Sequence, residues 1–217
     1  MTDTAVIASR TDAIATIRNE PVQARSTARL AALLDAAAHV IDEIGYERLT
    51  TAMVAERAGA SIGTVYRYFP DRIAVLQSLA ARNVERTGER AIAELSSHSH
   101  NEWSEALTAS YRILVDAFRD EPGFAALRYG DVLDLRPFVG VPALRVLADR
   151  MAVVLVERFG MNDTPEARLA IESAVTLTDA IAADAFQRDP SGDQQVLAHA
   201  GIAARALLAE YFPRSAR

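Results

Sequence analysis

The 217-residue sequence contains no cysteine and no lysine. Without cysteine, the chain has no disulfide, no zinc–thiolate site and no thiol nucleophile. It also has no run of 18 or more uninterrupted apolar residues, so no membrane-spanning segment is predicted. The N-terminus lacks the charged segment and solid hydrophobic block of a secretion signal. These absences favour a cytoplasmic protein.

Sequence motifs for enzyme catalysis are missing as well. No glycine-rich phosphate loop, nucleophile elbow or H-E-x-x-H motif occurs, and the paired Glu-x-x-His segments of di-iron bundles are absent. His98 and His100 alternate in a serine-rich stretch without a nearby carboxylate array, which favours a solvated connection over a metal site. We therefore expect no enzymatic activity, no metal ion and no cofactor.

The overall composition indicates a folded but acidic protein. Apolar residues make up 50% of the chain, and the formal net charge is -6. This apolar content argues against disorder, and the length suits one large or two modest domains. Affinity for DNA depends on cations that displace counterions from the phosphates. A DNA-binding function would therefore require a local basic surface on this acidic chain.

The most informative stretch runs from Thr50 to Arg72. Thr50 and Ser61 are placed as helix N-caps, whose side-chain oxygens accept hydrogen bonds from unpaired backbone N–H groups. Gly59 suits the left-handed residue that ends the first helix, and Pro70 ends the second. Two short helices joined by a glycine-containing turn form a helix-turn-helix, whose second helix enters the DNA major groove. This stretch predicts a DNA-binding unit.

The two predicted helices have an apolar inner face and a polar outer face. Inward positions are taken by Val54, Ala55, Ala58, Val65 and Phe69. The outer face of the second helix carries Thr64, Tyr66, Arg67 and Tyr68, which suit contacts with phosphate oxygens and base edges. Gly63, in the first turn, allows the backbone to approach a sugar-phosphate chain closely.

Apolar residues at three- and four-residue spacing predict further helices. These run over about 26–44, 72–95, 103–119, 124–129, 142–159, 166–187 and 193–211. The predicted fold is all-α, with a three-helix DNA-binding domain over 26–72 and a C-terminal helical domain over 73–217. Residues 1–25 are interpreted as a mobile extension, the alternative being a minor-groove arm that uses Arg18 or Arg25.

From the helix at Leu30 onward to Arg72, the sequence resembles the tetracycline-repressor (TetR) family of bacterial one-component regulators. The resemblance rests on Thr50, the VAERAG block ending at Gly59, the S-x-G-T-V-Y block beginning at Ser61, and Phe69 followed three positions later by a basic residue. It implies DNA contacts at a set of matching positions. They are Thr51, Ser61, Gly63, Thr64, Tyr66, Arg67, Tyr68 and Arg72.

Two positions depart from the family pattern. Arg72 stands where lysine is usual, and either cation can contact a phosphate. Ile62 stands where a polar residue is common. Its side chain suits either contact with a thymine methyl group or a weaker reading of the bases.

The resemblance implies a ligand-responsive repressor that binds a palindromic operator as a homodimer, formed mainly by the last two helices, and is released by a small molecule. The alternative is a helical interaction protein or an enzyme that retains the helix-turn-helix without a regulatory role. The C-terminal domain offers candidates for a ligand pocket, which typically has apolar walls and a few polar groups. They are Trp103, Tyr111, Phe118, Phe124, Arg128, Phe138, Met151, Thr176 and Asp179, with Asp131, Asp134, Arg136 and Phe186 as further candidates.

Overall fold

The computed structural model describes the backbone of residues 4–129 and 143–212, and the side chains of residues 24–127 and 143–212. These residues form α-helices with short connections, and no strand occurs among them, so the predicted all-α fold is confirmed. None of the described helices is both long enough and apolar enough to cross a bilayer. The pocket candidates Asp131, Asp134, Arg136 and Phe138 lie outside the described residues, as does the side chain of Arg128.

The N-terminal helices match the predicted ones closely at most of their ends. Helix α1 spans Thr4–Ile44, α2 spans Thr51–Arg57, α3 spans Ile62–Tyr68 and α4 spans Arg72–Ser96, with a short 3-10 helix at Tyr46–Arg48. The prediction that α1 begins at Ser26 was wrong. Residues before Ser26 lack the regular apolar stripe on which that prediction depended, but they include several alanines, which favour a helix by intrinsic propensity.

The C-terminal helices also lie where apolar spacing predicts them. They are α5 (Trp103–Asp120), α6 (Phe124–Tyr129), α7 (Ala143–Phe159), α8 (Pro165–Arg188) and α9 (Gln194–Leu208), followed by a 3-10 helix at Ala209–Tyr211. The hydroxyl of Thr164 caps α8 by accepting from the N–H of Ala167 at 3.2 Å. Pro165 occupies the first helical position, where its missing N–H costs no helical hydrogen bond.

The first four helices enclose the N-terminal core. Five of its side chains are at most 2% exposed: Leu33 of α1, Val54 of α2, Val65 of α3, Phe69 directly after α3 and Leu76 of α4. Burying such side chains contributes about 1.5–3 kcal/mol each. This packing holds α2 and α3 against α1 and α4, which leaves the opposite side of α3 free.

The C-terminal domain contains two further apolar clusters. One is centred on Leu155, Ile171 and Leu208, from α7, α8 and α9. The other is aromatic: the ring of Phe118 stacks on Phe186 with centroids 5.1 Å apart, and it meets the edge of Phe124 at 5.0 Å. Together these clusters fix α8 and α9 against the rest of the domain.

The connection between α5 and α6 packs against the N-terminal domain. The N–H of Gly123 donates to the Asp42 carboxylate of α1 at 3.2 Å. Gly123 has a φ of 69°, and a Cβ atom there would lie 2.9 Å from the carbonyl oxygen of Ala38. Leu127 of α6 belongs to the N-terminal core, whereas Phe124 belongs to the aromatic cluster. Helix α6 therefore joins the two domains.

Candidate DNA-binding surface and ligand cavity

Local hydrogen bonds fix the turn between α2 and α3. The hydroxyl of Thr50 accepts from the N–H of Met53 at 3.2 Å, and the hydroxyl of Ser61 accepts from the N–H of Thr64 at 3.2 Å. Gly59 adopts a φ of 58° between the two helices. Both predicted caps and the predicted glycine turn are confirmed. The relative position of α2 and α3 thus depends on residues that the sequence identifies.

The outer face of α3 is open to solvent. Tyr66 is 54% exposed and Ile62 is 43% exposed, whereas Val65 on the opposite face is fully buried. Gly63 and Arg67 are exposed on the same outer face. Within the described part of the chain, Arg67 makes no hydrogen bond or ion pair. Helix α3 therefore presents a guanidinium group, a phenol and a glycine backbone to an incoming partner.

Hydroxyl contacts order the ends of this face. The Thr51 hydroxyl donates to the Tyr66 hydroxyl at 3.3 Å, which links the start of α2 to the middle of α3. The hydroxyl oxygens of Ser61 and Thr64 lie 2.9 Å apart. These four side chains thus form two hydroxyl pairs, one between α2 and α3 and one at the start of α3.

Tyr68, at the end of α3, contacts α1. Its hydroxyl oxygen lies 3.2 Å from the hydroxyl oxygen of Ser26, a residue 42 positions away in the sequence. Arg25 and Arg29 lie on this part of α1 and are exposed. Local spacing cannot identify such a contact. The sequence already gives Arg25 as a residue of the alternative minor-groove arm, whereas Arg29 is an addition that only the fold makes visible.

Arg72 is directed toward the protein. Its guanidinium donates to the carbonyl oxygens of Tyr46 at 3.3 Å and Glu47 at 2.9 Å. These carbonyls belong to the 3-10 helix between α1 and α2. The half-buried Arg72 therefore anchors the start of α4 to the rest of the DNA-binding domain, and only its remaining donors are left for a phosphate.

Arg57, at the end of α2, is paired with Glu43 of α1. The hydrogen bond from this guanidinium holds the pKa of the Glu43 carboxyl below its ordinary value. Arg57 and Arg72 are thus engaged by the protein itself. Among the arginines of the helix-turn-helix, Arg67 is the one whose guanidinium has no acidic or carbonyl partner in the described part of the chain.

A cavity lies in the C-terminal domain among helices α4 to α9. Its volume is about 80 Å³. Four predicted pocket residues line it, namely Tyr111, Phe124, Met151 and Asp179. Much of the remaining wall is aliphatic and includes Leu107, Leu114, Leu147, Ile171, Val175 and Leu208. Such a wall suits an apolar ligand.

Other predicted pocket residues lie outside the cavity wall. Trp103 stacks on Phe212 with ring centroids 4.2 Å apart, and Phe118 and Phe186 stack on each other. Thr176 is exposed, and its hydroxyl donates to a backbone carbonyl at 2.9 Å. Thr178 lines the cavity instead, because residues two apart on a helix point to different faces.

Two hydroxyl groups in the cavity wall have no hydrogen-bond partner among the described residues, those of Thr87 and Tyr111. Thr87 is only 5% exposed. Burial raises the pKa of Tyr111 to about 12, so its phenol stays protonated and able to donate well above neutral pH. The sequence indicates Tyr111 as a pocket residue, but a threonine inside the long helix α4 carries no local signal, and Thr87 was missed.

The wall of the cavity between α5 and α9 is polar. The guanidinium of Arg205 donates to the hydroxyl of Thr108 at 3.2 Å. Both residues line the inner cavity, and both also line an outer cleft that contains Glu105 and Arg112. The Arg205–Thr108 pair therefore lies at the boundary between an apolar interior and a polar surface.

An apolar face of the last two helices remains exposed. Leu169 of α8 is 63% exposed, and Ile202 and Leu207 of α9 are 56% and 38% exposed. Clustered exposed apolar side chains commonly mark an interaction surface.

Comparisons with known proteins agree with both parts of the structure. Residues 33–79 match the family model of bacterial regulatory proteins of the tetR family, and residues 101–212 match that of the tetracyclin repressor-like C-terminal domain. The chain belongs to the TetR family. Both domains of this TetR-family regulator are therefore accounted for, and the predicted resemblance is confirmed.

Solved structures show the same fold over most of this TetR-family chain. A TetR-family transcriptional regulator from Streptomyces coelicolor is 31% identical, with a TM-score of 0.70 over 85% of this chain and 98% of that chain. A putative TetR-family regulator from Mesorhizobium loti is 22% identical, with a TM-score of 0.63 over 87% and 99% of the two chains. The second likeness is one of fold alone.

A curated relative matches part of the sequence at a higher identity. The HTH-type transcriptional repressor KstR from Rhodococcus jostii is 36% identical over 91 residues, which make up 42% of this chain and 43% of that repressor. This TetR-family chain thus spans less than half the length of the curated relative.

Proposed function

We propose that this TetR-family regulator represses transcription by binding a palindromic operator as a homodimer, and that a small molecule in the C-terminal cavity releases it. The observation that carries the proposal is the outer face of α3, where exposed Tyr66 and unpaired Arg67 project from a fully packed core. The likeness to a protein named as a transcriptional repressor supports repression. Such a regulator acts in the cytoplasm, where bacterial DNA lies.

The proposed DNA contacts follow from where each side chain lies. Arg67 and Tyr66 reach phosphate oxygens or base edges from the exposed face of α3, and Ile62 packs against thymine methyl groups. The hydroxyls of Thr51, Ser61 and Thr64 contact phosphates near the point where the backbone at Gly63 approaches the DNA. Tyr68 and Arg72 act mainly by holding α3 and α4 in place, since both already contact protein atoms.

A second copy of the chain is proposed to cover the exposed apolar face of α8 and α9. Leu169, Ile202 and Leu207 would then be buried between two identical surfaces, as a two-fold interface requires. The dimer would place two α3 helices about one DNA turn apart, ~34 Å, which matches two half-sites of a palindrome.

Release is proposed to depend on α4 and α6, the helices that touch both the cavity and the DNA-binding domain. Helix α4 contributes Thr87 to the cavity wall and begins at Arg72. Phe124 lines the cavity, and the adjacent Gly123 donates to Asp42 of α1. A ligand that displaces these helices alters the distance between the two α3 helices. A coupling of ~1–3 kcal/mol between the two sites is sufficient.

Binding to DNA from upstream of the chain's own gene tests the proposal. We compare the wild type with Arg67→Ala and with Arg150→Ala, a matched control that removes an exposed arginine from α7. Arg67→Ala should weaken binding by about 10- to 100-fold, because a contact to DNA is worth ~1–3 kcal/mol. Arg150→Ala should bind like the wild type, and affinity should fall as salt concentration rises.

Equal affinities of Arg67→Ala and the wild type would show that α3 does not read the DNA. Thermal unfolding of both variants, followed by circular dichroism, checks that the fold is retained. If the upstream fragment is not bound, selection from random DNA should still enrich a palindromic sequence, and recovery of no sequence would contradict the proposed function.

A further inference from the structure

We propose that the cavity binds a mainly apolar, uncharged molecule whose single oxygen-bearing group is held by the hydroxyls of Thr87 and Tyr111. The proposal rests on the proposed function in one respect, namely that this cavity is the ligand site. It adds the chemical class of the ligand and the two side chains that select it.

The hydroxyl of Thr87 lacks the backbone hydrogen bond that other helical hydroxyls of this domain make. Thr108, Ser110 and Thr178 each donate to the carbonyl oxygen four residues earlier, at 2.7, 2.9 and 2.8 Å. Thr87 lies within α4 and is 5% exposed, yet its Oγ1 has no partner in the described residues. A buried hydroxyl without a hydrogen bond lowers stability, so a ligand oxygen that pairs with it gains affinity.

The hydroxyl of Tyr111 lies in the same wall of the cavity. Ser110, its neighbour on α5, donates to the carbonyl oxygen of Ala91 at 3.0 Å. Ala91 lies one turn beyond Thr87 on α4, so this bond joins the two helices that contribute Thr87 and Tyr111 to the cavity wall. The Tyr111 oxygen is also buried without a described partner. Both hydroxyls border the same cavity, and each can donate to or accept from a ligand oxygen.

The lining of the cavity does not favour a charged ligand. Asp179 and Arg205 both line the wall, so its two charged side chains together supply no net charge to balance that of a ligand. The guanidinium of Arg205 is already bonded to Thr108 at the boundary with the outer cleft. Most other lining residues are aliphatic, and burying an unmatched charge among them is costly. An alcohol or ketone on a hydrocarbon frame fits this arrangement.

Four probes that share an eight-carbon chain test the ligand class: 1-octanol, octane, octanoate and octylammonium. Their binding is measured by displacement of the uncharged fluorescent dye N-phenyl-1-naphthylamine, at concentrations below the solubility of octane. The wild type should bind 1-octanol at least about 10-fold more tightly than each of the other three, as expected for one gained hydrogen bond. Absence of this preference, or tighter binding of octanoate, overturns the proposal.

Conservative variants then locate the selecting groups. Thr87→Val and Tyr111→Phe should each lower affinity for 1-octanol about 10-fold and leave affinity for octane unchanged. Thr178→Val is the matched control, because its hydroxyl lines the same cavity but already donates to the backbone. It should keep the preference for 1-octanol. If Thr87→Val and Tyr111→Phe keep that preference as well, the assignment to these residues is wrong.

Folding and DNA release are followed separately. Thr87→Val and Tyr111→Phe remove buried unpaired hydroxyls, so their melting temperatures should equal or exceed that of the wild type. If the variants lose the preference for 1-octanol but ligand binding never weakens DNA binding, the ligand class stands and the proposed function fails. If DNA is bound and released without any preference for the alcohol, the proposed function stands and the ligand class fails.

Discussion

The two domains of this regulator place the polar groups to which we assign a function on opposite sides of their apolar cores. In the N-terminal domain, Tyr66 and Arg67 of α3 point outward, and the packed cluster behind them is apolar. In the C-terminal domain, Thr87 and Tyr111 turn their hydroxyls inward to a cavity. A partner as large as DNA requires an exposed face, whereas a small ligand is held best when it is surrounded.

The same contrast appears in how each domain satisfies its polar atoms. Around the helix-turn-helix, Thr50 and Ser61 cap backbone N–H groups and Arg72 takes up carbonyl oxygens. The buried polar residues among the described side chains, Asn83, Thr87 and Ser110, lie instead on α4 and α5. The helix-turn-helix therefore satisfies these polar atoms within the chain, whereas the cavity wall leaves the hydroxyls of Thr87 and Tyr111 free for a ligand.

The largest effect is expected where the two domains meet, at Gly123. Gly123→Ala places a side chain at a φ of 69° and a Cβ atom 2.9 Å from the carbonyl oxygen of Ala38. Backbone strain and overpacking together should lower the free energy of unfolding by roughly 2–4 kcal/mol. Urea denaturation measures this change.

Gly59→Ala is the matched control for Gly123→Ala. Gly59 also has a positive φ, of 58°, but a Cβ atom there meets nothing within 4 Å. Gly59→Ala should therefore lower the free energy of unfolding only by the cost of a left-handed alanine, about 1–2 kcal/mol. If both variants lose the same free energy of unfolding, the close contact of Gly123 with α1 contributes little. The two domains would then be joined more loosely than this structure indicates.

A smaller effect, on function but not on stability, is expected at Gly63 of α3. A Cβ atom there meets only the Ser61 hydroxyl, at 3.9 Å, so alanine fits the folded chain. Gly63→Ala should raise the free energy of unfolding by up to about 0.5–1 kcal/mol through helix propensity. If DNA approaches this backbone, operator affinity should nevertheless fall roughly 10-fold, as for one lost contact. Unchanged affinity would place Gly63 away from the DNA.

Some of the structural features behind these predictions could be predicted from the sequence, and others could not. The caps at Thr50 and Ser61 and the turn at Gly59 were predictable, because each joins residues within about one helical turn. The contact of Tyr68 with Ser26 and that of Gly123 with Asp42 join residues 42 and 81 positions apart. No local pattern encodes them.

The cavity was predictable only in part, for a related reason. Helical periodicity identifies which side chains face inward, and Tyr111, Phe124 and Met151 were found in this way. It does not show which inward side chains fill space and which border a gap. Trp103 and Phe118 pack against other aromatic rings. Thr87 was missed, because an unpaired hydroxyl is recognised only once its neighbours in space are known.

The smallest expected effect is on stability at alkaline pH. It is measured by comparing the wild type, which has the Tyr111 phenol, with Tyr111→Phe, which lacks it. Burial raises the pKa of Tyr111 to about 12 in the folded protein, against about 10 for an exposed tyrosine. Between these values the unfolded chain loses a proton that the folded chain keeps. The free energy of unfolding therefore falls as pH rises above about 10.

Tyr111→Phe lacks this contribution and should lose less stability over the same alkaline range. Each pKa unit corresponds to ~1.4 kcal/mol, but the tyrosine ring is only partly buried, so we expect a difference of roughly 1 kcal/mol. Urea denaturation followed by Trp103 fluorescence, from neutral to strongly alkaline pH, measures it. Both proteins should behave alike below about pH 9. If the two proteins lose stability in parallel above pH 10, water or a hydrogen bond already reaches the phenol. Tyr111 would then have no unpaired hydroxyl to offer a ligand.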